Sequence, residues 1–377
     1  AMAGRLGTRA YGDVRRLIAD GIAEAAVVVT PMVSHHAISI ALSRGRMHNL
    51  IETTWASMLT QARDMVATAQ ASGVTLRVAE NFLRMPIDRL AQTVRDSGLI
   101  GRIGRVFCYA DHTGYHNNSR WLAFTRSQPT WVQCVEHVMA HPAFHPRAHQ
   151  TRSEEALSAR FFSFADGFLV ADIGSGHVKG NLGRHARPGY TEWHGERGTL
   201  VHAADAAAPR GERTELRRCS DDRFAAHQER SGAMQGGGIA DQITPVEYVS
   251  HDGCWAGWRA QTPAGSIAYD TPLKPGPKVG AITGRDWYGI AVLDHLVDFA
   301  LAVRGLRVSE FDDQAALMSE MMEIGARQSA LEGGRRVALP LSGEVEADAL
   351  ERQRQRNQFG VDPLDAEAML GISFPQQ

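Results

Sequence analysis

Four histidines recur at a constant spacing in residues 131–149, WVQCVEHVMAHPAFHPRAH. Each lies four residues after the one before: His137, His141, His145 and His149. Imidazole titrates near neutral pH and binds metal ions, so histidines that lie close together could act as acid, base or metal ligand. Glu136 lies beside the first of them. If the run begins as a helix, His137 and His141 lie one turn apart on the same face.

Two prolines limit the length of such a helix. Pro142 and Pro146 cannot sit comfortably in a helix interior, so we expect the helix to end near His141 and the later histidines to lie on a loop. A short helix that ends in histidines is a plausible place for acid–base or metal chemistry. The alternative interpretation is that these are hydrogen-bonded or surface histidines with no chemical role.

A second polar group occupies residues 109–121, YADHTGYHNNSRW, directly after a predicted strand. We predict a loop at the edge of a sheet. Its side chains that could bind or catalyse are Asp111, His112, Tyr115, His116, Asn117, Asn118 and Arg120. His112 and His116, together with His137 and His141, would suffice for a divalent metal site. The alternative is a solvated turn that hydrogen-bonds to itself.

Composition excludes several classes of function. The chain has 377 residues, with 40 Lys and Arg against 42 Asp and Glu, so nucleic acid or an anionic membrane is not expected as the main partner. No apolar run reaches the length of a membrane span. Four scattered cysteines without a CxxC pair are typical of reduced thiols, and we expect a cytoplasmic protein whose partner is a small-molecule substrate.

The order of apolar runs predicts two kinds of domain. Short apolar runs alternate with amphipathic segments over residues 1–103, beginning with the strand-like AAVVV of residues 25–29, which predicts a truncated, Rossmann-like doubly wound α/β domain. Residues 104–343 are richer in strand-like pieces and predict an α+β domain with an open, mainly antiparallel sheet and helices on one face. Residues 344–377 are predicted to be a polar extension with one helix.

Several motifs in the same order resemble the glucose–fructose oxidoreductase / inositol dehydrogenase (Gfo/Idh/MocA) family. They are VVVTPMVSHHAISIALSRG at residues 27–45, IGRIGRV at 100–106, TEWHGERGTL at 191–200 and the closing GGRRVALPL at 333–341. The resemblance implies an N-terminal dinucleotide-binding domain and a C-terminal open-sheet domain. It also implies a homo-oligomer, since the open face of the sheet commonly forms the subunit interface in that family.

The resemblance assigns roles to particular residues. The NAD(P)-binding positions are Thr30, Pro31, His35 and Glu52. The family's DxGxHxxD helix falls at residues 133–140, where only the histidine is kept, so His137 is the expected general base, with Glu136, His141 and His116 as further catalytic candidates. The expected substrate-binding residues are Asn81, Arg84, Asp111, Tyr115, Asn117, Arg120, Lys179 and His194.

Two departures from the family pattern bear on the cofactor. The GxGxxG loop that would hold a pyrophosphate is missing, so we expect the first β–α–β unit to be absent from this chain. The family's EKP falls at residues 52–54, where Thr53 replaces the lysine and cannot supply an ammonium group. Both departures argue against NAD(P)-dependent hydride transfer.

Three functions are therefore open at this point. The first is non-redox acid–base or metal-assisted chemistry of the lyase, hydrolase or isomerase type, on a sugar, cyclitol or carboxylate, with His137 as the base. The second is an NAD(P)-dependent sugar or cyclitol dehydrogenase with a degenerate cofactor site. The third is a non-catalytic sensor, or a partner subunit within a hetero-oligomer. The cofactor is unknown, with a divalent metal as one candidate.

Overall fold

The structure of the protein is a computed structural model in which residues 2–110, 114–147, 150–175, 190–205, 207–208, 211–229, 240–273 and 286–372 are described. The chain forms two compact units, each discontinuous in sequence. Unit 1 comprises residues 1–80, 295–324 and 341–377, and unit 2 comprises residues 81–294 and 325–340. This partition differs from the domain boundaries predicted after residues 103 and 343, which stay a prediction.

The described helices are α1 (Met2–Leu6), α2 (Val14–Asp20), α3 (His35–Arg44), α4 (Leu59–Ser72), α5 (Pro86–Ser97), α6 (Gly114–Thr125), α7 (Asp221–Glu229), α8 (Asp286–Val303), α9 (Asp313–Leu331), α10 (Glu346–Phe359) and α11 (Ala366–Leu370). The described strands are β1 (Ala25–Val28), β2 (His48–Ile51), β3 (Leu76–Val78), β4 (Ile103–Ala110), β5 (Pro129–Arg147), β6 (Gln150–Phe164), β7 (Leu169–Ser175), β8 (Tyr190–Gly195), β9 (Gly198–Ala204), β10 (Glu212–Arg218), β11 (Gln242–Pro245), β12 (Glu247–His251), β13 (Cys254–Thr262), β14 (Gly265–Asp270) and β15 (Val337–Ala338).

Unit 1 contains a parallel sheet with the strand order β1-β2-β3. Val28 pairs with Ile51, and Ile51 pairs in turn with Val78. α3 and α4 connect these strands, which confirms the predicted alternation of strand and helix. A small core of Leu50, Ala79 and Phe299 lies against the sheet. Short apolar strands joined by helices are typical of a Rossmann-like parallel sheet, and unit 1 has that architecture.

The start of α4 is capped from a distant part of the chain. Its N-cap residue, Met58, has no side-chain hydrogen bond to offer. The two carboxylate oxygens of Asp348, in α10, each accept a hydrogen bond from the Leu59 amide at 3.0 Å. Asp348 is fully buried, so its charge acts on the positive end of the helix with little screening by water. Within unit 1, α10 is therefore fixed to the N-terminus of α4.

Replacing Asp348 with alanine is expected to lower the free energy of unfolding by about 1–2 kcal/mol, because α4 loses the carboxylate that caps the Leu59 amide. Glu346→Ala is the matched control, since Glu346 lies in the same helix and is exposed. That variant should change stability by less than about 0.5 kcal/mol. Urea unfolding followed by circular dichroism measures both, and equal midpoints for the two variants would contradict the long-range cap.

Unit 2 is built on a nine-stranded sheet with the order β11-β10-β9-β8-β4-β7-β6-β5-β15. Among the pairs of described strands, β4 and β7 run parallel and their other neighbours in this sheet run antiparallel. One face carries buried side chains such as Phe162, Val170 and Trp193, while Phe107 and Phe161 on the opposite face are 41% and 40% exposed. The predicted open, mainly antiparallel sheet is confirmed. Unit 2 also contains the small sheet β12-β13-β14.

The histidine-rich run is a strand, so the predicted helix within residues 131–149 is wrong. It forms most of β5, which pairs antiparallel with β6, His137 lying opposite Leu157. The register with β6 determines the structure here, and buried Val132 and Cys134 follow the period of two of a strand. Along a strand, residues four apart are about 13 Å apart at Cα, so His137 and His141 are not related by one helical turn.

The polar run of residues 109–121 also differs from its prediction. We expected a loop at a sheet edge, but α6 begins at Gly114 and continues to Thr125. Its buried residues, Tyr115, Asn117, Asn118, Ser119, Arg120, Trp121 and Phe124, include most of the polar side chains that suggested a solvated turn. Asn117, Ser119 and Arg120 form hydrogen bonds inside the protein, which is why their polarity did not indicate exposure. No helix in the described part of the chain is long and apolar enough to cross a membrane.

Candidate functional site

The predicted cofactor-binding residues of unit 1 lie at the carboxyl ends of two neighbouring parallel strands. Thr30 and Pro31 follow β1 and are exposed, and Glu52 follows β2 and is half-buried. The Glu52 amide donates to the carbonyl oxygen of Val28 at 2.9 Å, which holds the two strand ends together. Open parallel sheets bind ligands at this edge, so the structure brings these three residues to a suitable place for a nucleotide.

His35, the fourth predicted cofactor residue, has a mainly structural environment. It is 1% exposed, with Nε2 at 2.8 Å from the Thr30 carbonyl oxygen and Nδ1 at 3.1 Å from the Thr54 carbonyl oxygen. Burial lowers its pKa, and the two carbonyl acceptors oppose that change. A neutral imidazole can donate to one of the two carbonyls at a time. His35 therefore ties the segment after β1 to the segment after β2.

In unit 2, His116 lies in the first turn of α6 and is held between two aromatic rings. Its imidazole stacks on Phe82 with ring centroids 4.3 Å apart and planes 15° apart. Tyr115 meets it edge-on at 5.8 Å. The side chain is half-buried, so one side stays accessible to a ligand. A half-buried histidine with its ring plane fixed is well suited to act as an acid or base.

The helix that carries His116, α6, follows β4, and its first residues share letters with the DxGxHxxD motif. Gly114-Tyr115-His116 keeps the GxH of that motif, whereas the final acid is replaced by Ser119. The assignment of the motif to residues 133–140 is therefore wrong, because those residues form a strand. Glu136 and His137 are exposed on β5. The GxH motif at Gly114 and His116 was present in the sequence and could have indicated the position of α6.

A buried polar network lies beneath α6 and consists of Asp88, Asn117, Arg120, Arg160 and Asp172. Arg120 Nε lies 2.8 Å from Asp88 Oδ1, and Arg120 Nη1 donates to Asn117 Oδ1 at 3.1 Å. Asn117 Nδ2 donates to Asp172 Oδ1 at 3.0 Å, and Arg160 Nη2 lies 2.5 Å from Asp172 Oδ2. Each of these side chains is less than 9% exposed. The network fixes α6, and with it His116, to the large sheet.

Two predicted substrate-binding residues, Asn117 and Arg120, are part of this network. Arg120 forms hydrogen bonds with Asp88 and Asn117, and Asn117 also donates one to Asp172. Both side chains are buried, so a substrate anion has no open approach to them. Burial alone would lower the pKa of Arg120, but the Asp88 carboxylate raises it above its ordinary value. Burial also raises the pKa of the neighbouring Cys108 thiol to about 11, so this thiol is protonated and unreactive at neutral pH.

Asn81 and Arg84 lie just before α5 in unit 2, and both are buried. Arg84 Nη1 is 3.3 Å from Asp294 Oδ1, and Arg89 Nη2 is 2.8 Å from Asp294 Oδ2. The guanidinium predicted to clamp a substrate carboxylate is therefore paired with a carboxylate of the protein. Asn81 Oδ1 is buried and has no hydrogen-bond partner among the described residues. It is the polar atom at this point of unit 2 that a ligand donor could satisfy.

His194 lies on the opposite face of the large sheet from α6. Its Nε2 is 2.8 Å from Glu192 Oε2, and Arg105 Nε donates to its Nδ1 at 3.2 Å. The Tyr190 hydroxyl donates to the same glutamate, and burial raises the pKa of Tyr190 to about 12. This cluster is on the open face, so the structure does not bring His194 together with His116. Its predicted role in substrate binding stays a prediction.

The remaining predicted residues lie partly outside the described part of the chain. Asp111, His112 and Lys179 fall there, as does the side chain of His141. Within the described residues, no group of three or more His, Cys, Asp or Glu side chains is arranged to hold a metal ion. The predicted metal site, which used His112, His116, His137 and His141, stays a prediction.

His202, a residue of β9 in unit 2, should make the stability of the protein depend on pH. Burial and the charge of Arg120 lower its pKa to about 4, and its Nδ1 lies 2.8 Å from Thr214 Oγ1. Since the unfolded chain binds a proton near pH 6.5 and the folded chain only near pH 4, stability is complete above about pH 6.5 and falls as the pH decreases towards 4. We expect a loss of roughly 2–3 kcal/mol across this range. Urea unfolding at a series of pH values measures it, and His202→Gln should flatten the profile; an unchanged slope in that variant would contradict this assignment.

Comparison with known proteins supports the fold that the geometry indicates. No protein-family model matches the chain. D-apiose dehydrogenase from Rhizobium rhizogenes is 30% identical over 93 residues, which is 25% of this chain and 27% of that enzyme. The chain thus matches about a quarter of the length of this curated relative.

Solved structures match over a much larger part of the chain. An NAD-binding oxidoreductase from Klebsiella pneumoniae has a TM-score of 0.62 at 16% identity, covering 90% of this chain and 86% of its own. An oxidoreductase from Agrobacterium radiobacter, solved with NAD+, L-tartaric acid and magnesium, has a TM-score of 0.59 at 16% identity, with 89% and 86% covered. The WlbA dehydrogenase from Bordetella pertussis, solved with NADH and UDP-GlcNAcA, has a TM-score of 0.57 at 16% identity, with 90% and 86% covered. The chain therefore has the fold of the Gfo/Idh/MocA-type NAD-binding oxidoreductases, with a Rossmann-like unit and an open-sheet unit.

Proposed function

We propose that the chain acts as an NAD(P)-dependent oxidoreductase on a sugar or a related polyhydroxylated molecule. The observation that carries this proposal is the match of about 90% of the chain to structures of NAD-binding oxidoreductases. The short match to D-apiose dehydrogenase supports a sugar as the substrate class. The non-redox hypothesis was motivated by site histidines beside a missing cofactor loop, and it is less well supported than the dehydrogenase alternative because the similar structures are NAD-binding oxidoreductases.

The residues of unit 1 are compatible with one part of a nicotinamide dinucleotide site. Thr30 and Glu52 present a hydroxyl and a carboxylate at the carboxyl edge of the parallel sheet, and His35 fixes the two segments that carry them. When bound, the cofactor would supply the hydride acceptor or donor. Residues 1–377 contain no GxGxxG loop, so these residues account for the nucleoside side of a site rather than for its pyrophosphate.

His116 is the residue that we propose as the general base. It would take the proton from a substrate hydroxyl, which removes the positive charge that otherwise builds up on oxygen as the alcohol is oxidised. The stacked Phe82 ring and the network beneath α6 hold its imidazole in place before substrate binds. Asn81 Oδ1, buried and free to accept, would receive a hydrogen bond from a second hydroxyl of the substrate.

The test of the proposed function is reduction of NAD+ and NADP+ by a panel of sugars that begins with D-apiose. Turnover followed by nicotinamide absorbance, and abolished when the cofactor is left out, would support the proposal. Turnover of a substrate without nicotinamide would instead favour the non-redox hypothesis. An inert protein that co-purifies with a second chain would favour the sensor or partner-subunit hypothesis.

We also propose a homo-oligomer formed through the open face of the nine-stranded sheet. Val135, Phe107 and Phe161 on this sheet are 54%, 41% and 40% exposed, although they are large and apolar. Exposed apolar side chains that neighbour one another on a sheet are typical of subunit interfaces. The charged cluster around His194 and Glu192 adjoins them and would provide polar contacts at the same interface.

A further inference from the structure

A groove of unit 2 lies between α5 and β14, the last strand of the small sheet. Its volume is about 510 Å³, which is within the range of sites that bind small molecules. Residues 266–269 of β14 form one wall. The opposite wall is one face of α5, because its lining residues recur at helical spacing, and all of them are polar: Arg89, Gln92, Thr93, Asp96 and Ser97.

Both walls of this α5–β14 groove are held by contacts outside it. Trp258 Nε1, on β13, donates to the Pro86 carbonyl oxygen at 2.7 Å and fixes the start of α5 to the small sheet. β14 pairs with β13 from Gly265 to Asp270 without a bulge. The Tyr269 ring stacks on buried Trp255, with centroids 5.6 Å apart and planes 11° apart. The site is therefore preformed, so a ligand would not have to order it on binding.

The groove presents hydrogen-bonding groups that the protein itself leaves unused. Gln92 Oε1 accepts from Arg89 at 3.4 Å, but among the described residues the Gln92 side-chain nitrogen has no partner, and neither has the Ser266 hydroxyl group. Gln92 is half-buried and Ser266 is exposed, so both are accessible from the groove. An amide and a hydroxyl group each donate and accept hydrogen bonds, which suits a ligand that carries several hydroxyl groups.

The charged groups of the groove disfavour an anion. The Arg89 side chain is 11% exposed and lies 2.8 Å from the Asp294 carboxylate, whereas the Asp96 side chain is 55% exposed. Arg95 donates to Asp96 at 2.7 Å and holds the pKa of this carboxyl below its usual range, so Asp96 is ionised at neutral pH. A ligand that enters the groove therefore meets a carboxylate, which accepts hydrogen bonds from hydroxyl groups and repels a phosphate or a second carboxylate.

We propose that the α5–β14 groove binds a neutral sugar, at a site separate from His116. The sugar hydroxyl groups would hydrogen-bond to Asp96, Gln92 and Ser266, while the C–H groups of its ring would pack on the side chain of Tyr269. α6, which carries His116, contributes no residue to the lining of the groove. The inference does not depend on the proposed function, because none of these groove residues has a role in the proposed catalysis.

The test is a nuclear magnetic resonance titration of the full chain with D-apiose, D-glucose, D-galactose, maltose and D-glucose 6-phosphate. The signals followed are the backbone amides of residues 266–269 and the side-chain amide of Gln92. At least one neutral sugar should shift them saturably, and D-glucose 6-phosphate should bind at least about tenfold more weakly than that sugar. No saturable shift with any neutral sugar, or equal affinity for the phosphate, would overturn the inference.

Two glutamine variants make the test specific. Gln92→Ala should raise Kd for the neutral sugar at least about tenfold. Gln261→Ala is the matched control, because Gln261 is exposed on the neighbouring β13 and does not line this groove, and it should change Kd less than about twofold. Both substitutions remove exposed or half-buried polar side chains, so both variants should fold. Equal Kd values for the two variants would contradict the site.

Asp96→Asn tests the class of ligand. The substituted amide still hydrogen-bonds to hydroxyl groups but carries no charge, so the preference for D-glucose over D-glucose 6-phosphate should fall at least about threefold. An unchanged preference would show that Asp96 does not face the ligand. Sugar-induced shifts confined to α6 would place the sugar at His116 and overturn the separate site. Binding in the groove of a chain that reduces no nicotinamide would leave this inference standing and count against the proposed function instead.

Discussion

His116→Ala is expected to lower kcat for nicotinamide-dependent turnover by about 10²–10⁴-fold, the usual contribution of a general base. His137→Ala should leave kcat within about twofold, since His137 is exposed on β5. The two histidines test the position of the base directly, because the sequence analysis expected His137 as the base and we propose His116. His116 is half-buried at the start of α6 and stacked on Phe82 at 4.3 Å, so its imidazole has one defined orientation.

The pH profile separates a chemical role of His116 from a structural one. A base contributes an acid limb to kcat/KM, and that limb should disappear in His116→Ala while KM changes little. A merely structural histidine would change expression or stability and leave the limb in place. Loss of activity in His137→Ala with full activity in His116→Ala would contradict the assignment of the catalytic helix to α6.

Asp172→Asn is expected to lower the free energy of unfolding by about 3–5 kcal/mol, because it removes the buried carboxylate charge that pairs with the Arg160 guanidinium. Asp172 is fully buried, and its carboxylate also receives a hydrogen bond from Asn117 at 3.0 Å. The matched control is Asp270→Asn. Asp270 lies 2.5 Å from Arg259, the same distance as between Asp172 and Arg160, but its side chain is 73% exposed.

That control should change stability by less than about 1 kcal/mol, since water screens an exposed ion pair. Urea unfolding of the two variants gives the comparison. The double variant Arg160→Met/Asp172→Leu should be more stable than Asp172→Asn alone, because it replaces both members of the buried ion pair with apolar side chains. Similar losses for Asp172→Asn and Asp270→Asn would show that the network beneath α6 is solvated and does not fix the helix.

The sequence predicted the parallel unit well because its signals there are local. The apolar run of residues 25–29 contains β1, and the spacing of Ala62, Met65, Val66 and Ala69 in α4 matches their burial. Gly45 and Gly73 are the C-cap residues of α3 and α4. Each of these signals depends on residues within one or two turns of each other, which is the range that periodicity can reveal.

The histidine-rich strand was mispredicted because a spacing of four residues fits either structure. Four residues make about one turn of a helix, and they also return to the same face of a strand. Pairing with β6, whose partner for His137 is Leu157, decides between them. Strand pairing of this kind overrides the local sequence pattern, and residues 131–149 alone do not indicate that they pair with β6.

The contacts that define the candidate site are also long-range. Asp172 reaches Asn117 across 55 positions, and Asp348 caps the amide of Leu59 from 289 positions away. No spacing rule predicts such pairs, so Asn117 and Arg120 looked like solvent-exposed ligand contacts in the sequence. In the structure they are the internal partners that hold α6, and the sequence-level signal that remained was the short GxH spelling at His116.

Nicotinamide binding tests directly whether the chain is an NAD(P)-dependent oxidoreductase. NADH and NADPH are titrated into the full chain, with thermal unfolding and nicotinamide fluorescence as readouts. A cofactor that binds only the folded protein stabilises it by about 2.7 kcal/mol at roughly a hundredfold excess over Kd. We therefore expect a saturable rise in Tm together with a change in nicotinamide fluorescence. No change in either readout at millimolar cofactor would contradict a role as an NAD(P)-dependent oxidoreductase.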